Sequence, residues 1–343
     1  MKVGSFNKSA NYRIRFNKIM KKLKTNFYQT ALLLSDEKFH DGTSIGKKLN
    51  ITRAGVWKAI KKLEEYGIQV QSVKGKGYAL TKPLLLLDEE KIKQEVHNKN
   101  IDLECFETID STNDYLGQAT KDHKIKVCIA EHMSHGKGRL QRSWYSPFGL
   151  NIYMSLLYPL AKDELSGLSL VVGLSLCKTI NDLYKFETPV NVKWPNDIIW
   201  QDKKLAGNLI EIQAESNGFC YAIIGVGINV NLTRDIKQIS QPWTSISKIS
   251  NQYIDRNILC SKLLDNLINY IKRFETHGFE DFLNEWREND GLLNKVVSLK
   301  TGDLTYTGKV SGINNHGHLL ITTENGKVMS FSSGDASIIK AGL

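Results

Sequence analysis

From Phe27 onward apolar side chains recur at helical spacing, with Phe27, Ala31 and Leu34 at i, i+4 and i+7. His40-Asp41-Gly42-Thr43 interrupts the pattern, and residues 44–49 resume it as a short second helix. Asn50-Ile51 reads as a turn. Thr52 is a good N-cap for a third helix running to about Tyr66, where Gly67 stops it. On that helix Val56, Ala59, Ile60 and Leu63 predict a buried stripe, whereas Arg53, Trp57, Lys58, Lys61 and Lys62 fall largely on the other side. Residues 69–73 and 78–80 flank Lys74-Gly75-Lys76-Gly77 and predict a β-hairpin with two lysines at its tip. Together these elements predict a winged helix-turn-helix whose cationic helix enters the major groove of DNA. Arg53, Trp57 and Lys58 are candidates for base edges, with Lys61 on the same face; Lys47, Lys74 and Lys76 are candidates for phosphates. Thr81-Lys82-Pro83 reads as the exit linker.

Beyond the linker the pattern changes. Val127-Cys128-Ile129-Ala130 and the run from Ile223 to Asn231 read as buried strands, the latter carrying Gly225 and Gly227. Residues 256–290 read as helical with Trp286 as a core anchor, and residues 292–343 are strand-like and punctuated by glycine, which fits a small β-barrel.

Length and composition narrow the class. A chain of 343 residues suggests two to three domains, and 41% hydrophobic with 24% charged residues excludes a mainly disordered chain. The apolar runs at 84–87 and 165–176 are too short or too interrupted to span a bilayer, and no signal-peptide core opens the chain. Five widely spaced cysteines without a C-x-x-C pair predict a reducing, cytoplasmic location with neither disulfide framework nor zinc cluster. The charge is uneven. Residues 1–83 hold 18 basic and 5 acidic residues, whereas residues 84–343 hold 28 and 31. The whole basic excess therefore lies in front, as expected for a polyanion-binding module joined to a body with another task. Residues 1–24 carry eight basic residues and no acid, reading as a disordered tail or a DNA-contacting arm, and Met20 is an alternative start.

Four segments of the body carry candidate chemistry. Asp110-Ser111-Thr112-Asn113 is a helix N-cap, a place where free N–H groups can also hold an anion or a polar head group. Gly136-Lys137-Gly138-Arg139, followed by Arg142 and Trp144, supplies cations for phosphate, glycines for close backbone approach and an indole to cover a base. It lacks the Gly-Lys-Ser/Thr of a Walker A loop. Lys193-Trp194-Pro195-Asn196-Asp197, with Lys203-Lys204-Leu205-Ala206-Gly207 behind it, places Asp197 on a strand-end loop as a Mg²⁺ candidate and Lys204 ahead of a strand at residues 209–212. The fourth is Gly225-Val226-Gly227-Ile228-Asn229, which lacks the third glycine of a dinucleotide fingerprint. His132 and His135 read as loop residues rather than ligands, and no G-x-S-x-G elbow supplies a hydrolase nucleophile.

The ordered set D-S-T-N, G-K-G-R…S-W-Y-S-P, K-W-P-N-D, K-L-A-G and G-x-G-I-N resembles the biotin–protein ligase family. With the winged helix in front, the resemblance is to its bifunctional bacterial ligase/repressor branch and spans about residues 27–343. It implies an α+β chain: a basic tail (1–24), a winged helix-turn-helix domain (25–83), a central mixed α/β catalytic domain of the biotin/lipoate ligase type (84–291) and an SH3-like β-barrel (292–343).

It implies as well ATP-dependent activation of biotin to biotinoyl-5′-AMP, with Mg²⁺, and transfer to a lysine of the biotin carboxyl carrier protein of acetyl-CoA carboxylase. The adenylate would be corepressor for a homodimer on operator DNA, with no membrane partner. Carried over by position, Ser111, Thr112, Asn113, Met133, Lys137, Gly138, Arg139, Lys204 and Gly207 would contact biotin. Arg139, Arg142, Trp144, Lys204 and Asn229 would contact ATP or the adenylate, Asp197 would serve Mg²⁺, and Lys204 with Arg139 would be catalytic. Three positions depart from the family pattern. Lys137 stands for an arginine, Leu140-Gln141 stand where a second glycine is common, and Met133 stands where a glutamine often contacts biotin. The competing readings are a lipoate ligase, a winged-helix repressor whose body only senses a ligand, and a scaffold without catalysis.

Overall fold

The computed structural model describes residues 24–160, 165–214 and 220–339. Most of the basic tail, including Met20, lies outside the described residues.

The first unit is three helices and a hairpin: α1 (Asn26–Leu34), α2 (Gly42–Leu49), α3 (Arg53–Glu65), β1 (Val70–Val73) and β2 (Gly77–Leu80). The expected caps are present. Asp41 accepts from Ser44 N at the start of α2, and Thr52 accepts from Gly55 N at 3.1 Å at the start of α3. Asn50 sits at φ 53° and turns the chain between these two helices, which Asn tolerates better than most residues. Val56, Ala59, Ile60 and Leu63 are buried, and Arg53, Trp57, Lys58 and Lys61 are exposed. The hairpin pairs Val73 with Gly77 in an antiparallel register, and Gly77 lies so close to His40 O that a Cβ there would be 2.1 Å away.

The body is built on a seven-stranded sheet. Its strands are β3 (Ile101–Phe106), β4 (Ile125–Ala130), β5 (Ile152–Leu160), β6 (Asn191–Lys193), β7 (Asp197–Trp200), β8 (Lys203–Ala214) and β9 (Cys220–Ile228), ordered β3-β4-β5-β9-β8-β7-β6. Only the β3–β4 pair is parallel. The long helices α6 (Leu168–Leu183) and α8 (Arg256–His277) belong to one apolar core with β5, β8 and β9. Before α6 come α4 (Glu89–Glu95) and α5 (Thr112–Gly117); α7 (Ile246–Ser250) precedes α8, and α9 (Leu283–Asn289) follows it with Trp286 buried as expected. Residues 296–338 form a five-stranded antiparallel sheet, β10 (Val296–Thr301), β11 (Leu304–Ile313), β12 (Leu319–Thr322), β13 (Val328–Phe331) and β14 (Asp335–Ile338), ordered β13-β12-β11-β10-β14.

The winged helix is packed onto the body. Phe148 joins the apolar cluster of the first unit, and its ring lies 5.3 Å from those of both Phe27 and Tyr66. The connecting strap is held by side chains of the body. Arg256 Nη2 donates to Leu85 O at 2.7 Å, Leu85 N donates to Tyr253 Oη at 2.8 Å, and Asp88 N donates to Asn257 Oδ1 at 2.7 Å. Beneath the strap Arg256 and Glu131, both fully buried, form an ion pair at 2.7 Å.

Candidate active site

The glycine-rich segment after β4 folds back on itself. Gly138 N donates to Arg142 O at 2.7 Å, and Trp144 N donates to Gly136 O at 2.8 Å. At Gly136 a Cβ would lie 2.6 Å from Ser146 Oγ and from Trp144 O, so the loop's own closure requires glycine there. Leu140 and Gln141, which occupy the tip, have φ of 53° and 59°, a left-handed conformation costing about 1 kcal/mol or more per residue. The cations of the loop point to different partners. Lys137 pairs with Asp114 at 2.6 Å, and that hydrogen bond holds its pKa above the usual value. Arg139 donates to Asn196 Oδ1 and to Gly334 O, each at 3.3 Å, and burial lowers its pKa. Arg142 pairs with Asp335 of the C-terminal sheet.

A cluster of polar side chains lies between α5 and the sheet. Ser111 uses its oxygen to cap α5, accepting from Asp114 N at 3.3 Å. Thr112 and Asn113 are buried against β5, where Ser155 Oγ lies 2.7 Å from Thr112 Oγ1 and 2.6 Å from Asn113 Oδ1. Asn113 Nδ2 donates to Glu211 Oε2 at 2.6 Å. Gly225 makes this possible, because a Cβ there would fall 2.3 Å from Asn113 Oδ1. Met133 closes one side with its sulfur 3.6 Å from Thr112 Oγ1.

Lys204 is the second centre. It lies inside β8, one residue from its start, and not ahead of a strand as the apolar run suggested. The Trp194-Pro195-Asn196 turn joins β6 to β7, so Asp197 is the first residue of β7 rather than part of a strand-end loop. Lys204 Nζ lies 2.7 Å from Asp197 Oδ1 and 5.2 Å from the centroid of the Trp144 ring. Trp144 rests on β9 at Gly227, where a Cβ would be 2.5 Å from the indole, and its Nε1 is buried without a partner. Gly207 has Asp197 and Lys204 as neighbours. Asn229 joins this centre by its main-chain N, which donates to Leu205 O at 3.0 Å, while its side-chain Nδ2 donates to Thr244 O at 3.1 Å.

Comparison with known proteins decides between the readings. The model of the biotin/lipoate A/B protein ligase family matches residues 105–229, that of a helix-turn-helix domain matches 29–79, and that of the biotin protein ligase C-terminal domain matches 292–338. The bifunctional ligase/repressor BirA of Salmonella typhimurium is 34% identical over 90% of this chain and 96% of its own length. The chain belongs to the biotin protein ligase family. The bifunctional ligase/repressor BirA of Bacillus subtilis is 30% identical over 84% of this chain and 90% of its own. A solved biotin protein ligase from Aquifex aeolicus, in complex with biotin and ATP, matches with a TM-score of 0.62 and 30% identity over 70% of this chain and 99% of its own.

This biotin protein ligase therefore draws its polar groups together from all four motif segments. Ser155, Glu211 and Asp335 stand in no motif, yet the first two contact Asn113 and the third holds Arg142. Ser155 left a faint trace, as the single small hydroxyl in the apolar run from Ile152 to Leu160. His132 contacts the winged helix, 4.8 Å from the Tyr66 ring, and burial lowers its pKa. Among the described residues no group of three or more His, Cys, Asp or Glu could hold a metal.

Proposed function

We propose that the protein activates biotin with ATP to biotinoyl-5′-AMP, passes the biotinoyl group to a lysine of the biotin carboxyl carrier protein of acetyl-CoA carboxylase, and represses biotin genes as an adenylate-bound homodimer. The observation that carries the reading is the position of Lys204. Its ammonium stands beside the Trp144 ring, which rests on β9 at Gly227, and the Asn113–Ser155 pocket borders the same strand at Gly225.

In the first step the biotin carboxylate attacks the α-phosphate of ATP, and pyrophosphate leaves. Both reactants are anions, so the protein's task is to hold them together and to neutralise the charge that develops, not to supply a nucleophile. Thr112, Asn113 and Ser155 offer the donors and acceptors for the ureido head, with Ser111 and Met133 at the rim and Gly207 and Gly138 as close-approach backbone. Lys204 bridges carboxylate and phosphate. Arg139, Arg142 and Lys137 close over the phosphate, and Trp144 and Asn229 hold adenine. In the second step the carrier lysine amine attacks the acyl carbon, and AMP leaves.

Mg²⁺ enters with ATP as part of that substrate. Asp197 Oδ1 lies 2.7 Å from Lys204 Nζ yet is buried without a hydrogen-bond partner, and Lys193 Nζ stands 3.8 Å from Oδ2, so the carboxylate orients Lys204 and would be the oxygen ligand offered to the Mg²⁺ that ATP brings. None of the five cysteines forms a disulfide, which suits the cytoplasm, and no described helix is long and apolar enough to cross a membrane.

The test combines biotin, ATP, Mg²⁺ and a carrier domain and follows carrier mass. A gain of one biotinoyl group is expected, and lipoate in its place is expected to give none. A labelled carrier with lipoate alone overturns the choice of acid. For the repressor role, adenylate should tighten binding to one palindromic operator over random DNA. Lysine-to-alanine changes at 47, 74 and 76 should weaken binding to both DNAs alike and flatten its salt dependence by about one phosphate each.

The pocket makes a further prediction. Gly225→Ala forces Asn113 from its place. The expected results are a loss of about 1–3 kcal/mol of stability in a denaturant titration and a matching fall in biotin affinity by calorimetry.

A further inference from the structure

Asn208 belongs to none of the motifs, and its side chain touches none of the groups assigned above to biotin or ATP. It follows Gly207 on β8 and is buried to 4% exposure. Its amide is fully engaged. Nδ2 donates to Ser169 O at 3.1 Å and lies 3.4 Å from Asn196 O, and Oδ1 accepts from Ser169 Oγ at 2.9 Å. The Ser169 hydroxyl also lies 3.0 Å from Pro195 O. The main chain adds two more bonds, Asn208 N donating to Asn196 O at 3.0 Å and Asn196 Nδ2 donating to Asn208 O at 2.7 Å.

These bonds have a consequence for the turn at residues 194–196. The main-chain pair would hold the turn to β8 with any residue at 208. The amide adds a tie to the N-terminal end of α6 through Ser169 O and Oγ, beside the direct contact of Ser169 Oγ with Pro195 O. Asn196 spends its Nδ2 on β8, which leaves Oδ1 aimed at Arg139 Nη1, and the next residue, Asp197, holds Lys204. Two of the cations assigned to the reacting phosphate, Arg139 and Lys204, therefore rest on this one turn. A leucine at 208 would keep the branched skeleton and spare the burial of an amide, but its larger methyl groups would face Ser169 O, Ser169 Oγ and Asn196 O without a hydrogen bond. The amide offers bracing that leucine cannot.

We propose that Asn208 is a positioning residue for adenylation: it braces the 194–196 turn against α6 and so sets Arg139 and Lys204 toward the α-phosphate. The proposal rests on the ligase reading above. A displacement near 1 Å at a reacting centre can cost up to about a hundredfold in rate, while biotin alone, its ureido head held by α5 and β5 and only its carboxylate at Lys204, should sense the change much less.

The test measures biotin-dependent pyrophosphate release and, separately, biotin affinity without nucleotide. Asn208→Leu should lower kcat for pyrophosphate release by about 10- to 100-fold. Biotin affinity should fall far less than kcat, because no side chain placed at the ureido head touches residue 208 and only the carboxylate end meets Lys204. The decisive readout is a double-mutant cycle with Arg139→Ala. If Asn208 acts through Arg139, most of its effect vanishes in that background, whereas a general structural role leaves the two effects additive. Should Asn208→Leu fail to fold, Ser169→Ala carries the same cycle with an expected loss of about two- to tenfold, the weight of one hydrogen bond. Unchanged pyrophosphate release in the variant, additivity with Arg139→Ala, or an equal loss of biotin affinity each overturns the proposal. Wild-type protein that releases no pyrophosphate with biotin and ATP would instead overturn the ligase reading.

Discussion

Lys204→Ala is expected to slow biotin-dependent pyrophosphate release by about 10²–10³, equivalent to roughly 2.7–4 kcal/mol of transition-state stabilisation. The reason is the poverty of alternatives. Lys137 is drawn to Asp114, Arg142 to Asp335 and Arg139 to Asn196 and Gly334, so Lys204 is the cation that already stands beside the indole. Its removal also leaves Asp197 as an acid inside a site for two anions, with Lys193 at 3.8 Å as its remaining partner. Lys204→Arg should rescue little, because a planar fork does not replace a compact point charge beside Gly207. Transfer from purified biotinoyl-5′-AMP to the carrier should fall less than adenylation, since the anhydride is already made. Single-turnover measurement of each half-reaction checks this, and parental adenylation in Lys204→Ala would remove the lysine from the mechanism.

Arg256→Ala should be the most damaging change away from the site, costing about 3–5 kcal/mol in chemical denaturation. Arg256 Nη1 reaches Glu131 Oε2 at 2.7 Å and Asn151 O at 3.0 Å, and Nη2 reaches Leu85 O at 2.7 Å. Truncation would strand a fully buried carboxylate and free the strap that carries the winged helix. Replacing both partners, as Arg256→Met with Glu131→Gln, should cost less than Arg256→Ala alone, because no uncompensated charge remains. A double variant less stable than the single one would show that the pair contributes little beyond packing. Limited proteolysis of the strap at residues 81–88 reports the second effect, and cleavage there should accelerate in Arg256→Ala.

The winged helix was legible almost residue by residue. Its signals are local: a stripe at 56, 59, 60 and 63, caps at 41 and 52, and a glycine-rich hairpin. The five motifs were legible for the same reason, each being a short run. The roles within them were less so. Gly136 reads as a glycine for phosphate, yet it stands against Ser146 and Trp144 of its own loop. Asp197 reads as a metal ligand from its motif, and only the fold shows Lys204 Nζ 2.7 Å from its Oδ1. Ser155, Glu211 and Asn208 are ordinary strand residues until a helix is laid across them.

By itself, the order of residues determined the elements, the front-loaded charge, the set of polar groups available for chemistry and the family resemblance. These follow from periodicity and spacing, which are properties of neighbours along the chain. The tertiary structure alone decided which groups meet. Arg139 finds Gly334 across 195 positions and Arg256 finds Glu131 across 125. Contacts at that range depend on how a sheet ordered β3-β4-β5-β9-β8-β7-β6 brings distant strands side by side, and on where a missing Cβ at Gly225 or Gly227 leaves room for another side chain. Packing is a three-dimensional steric condition, and no local pattern encodes it.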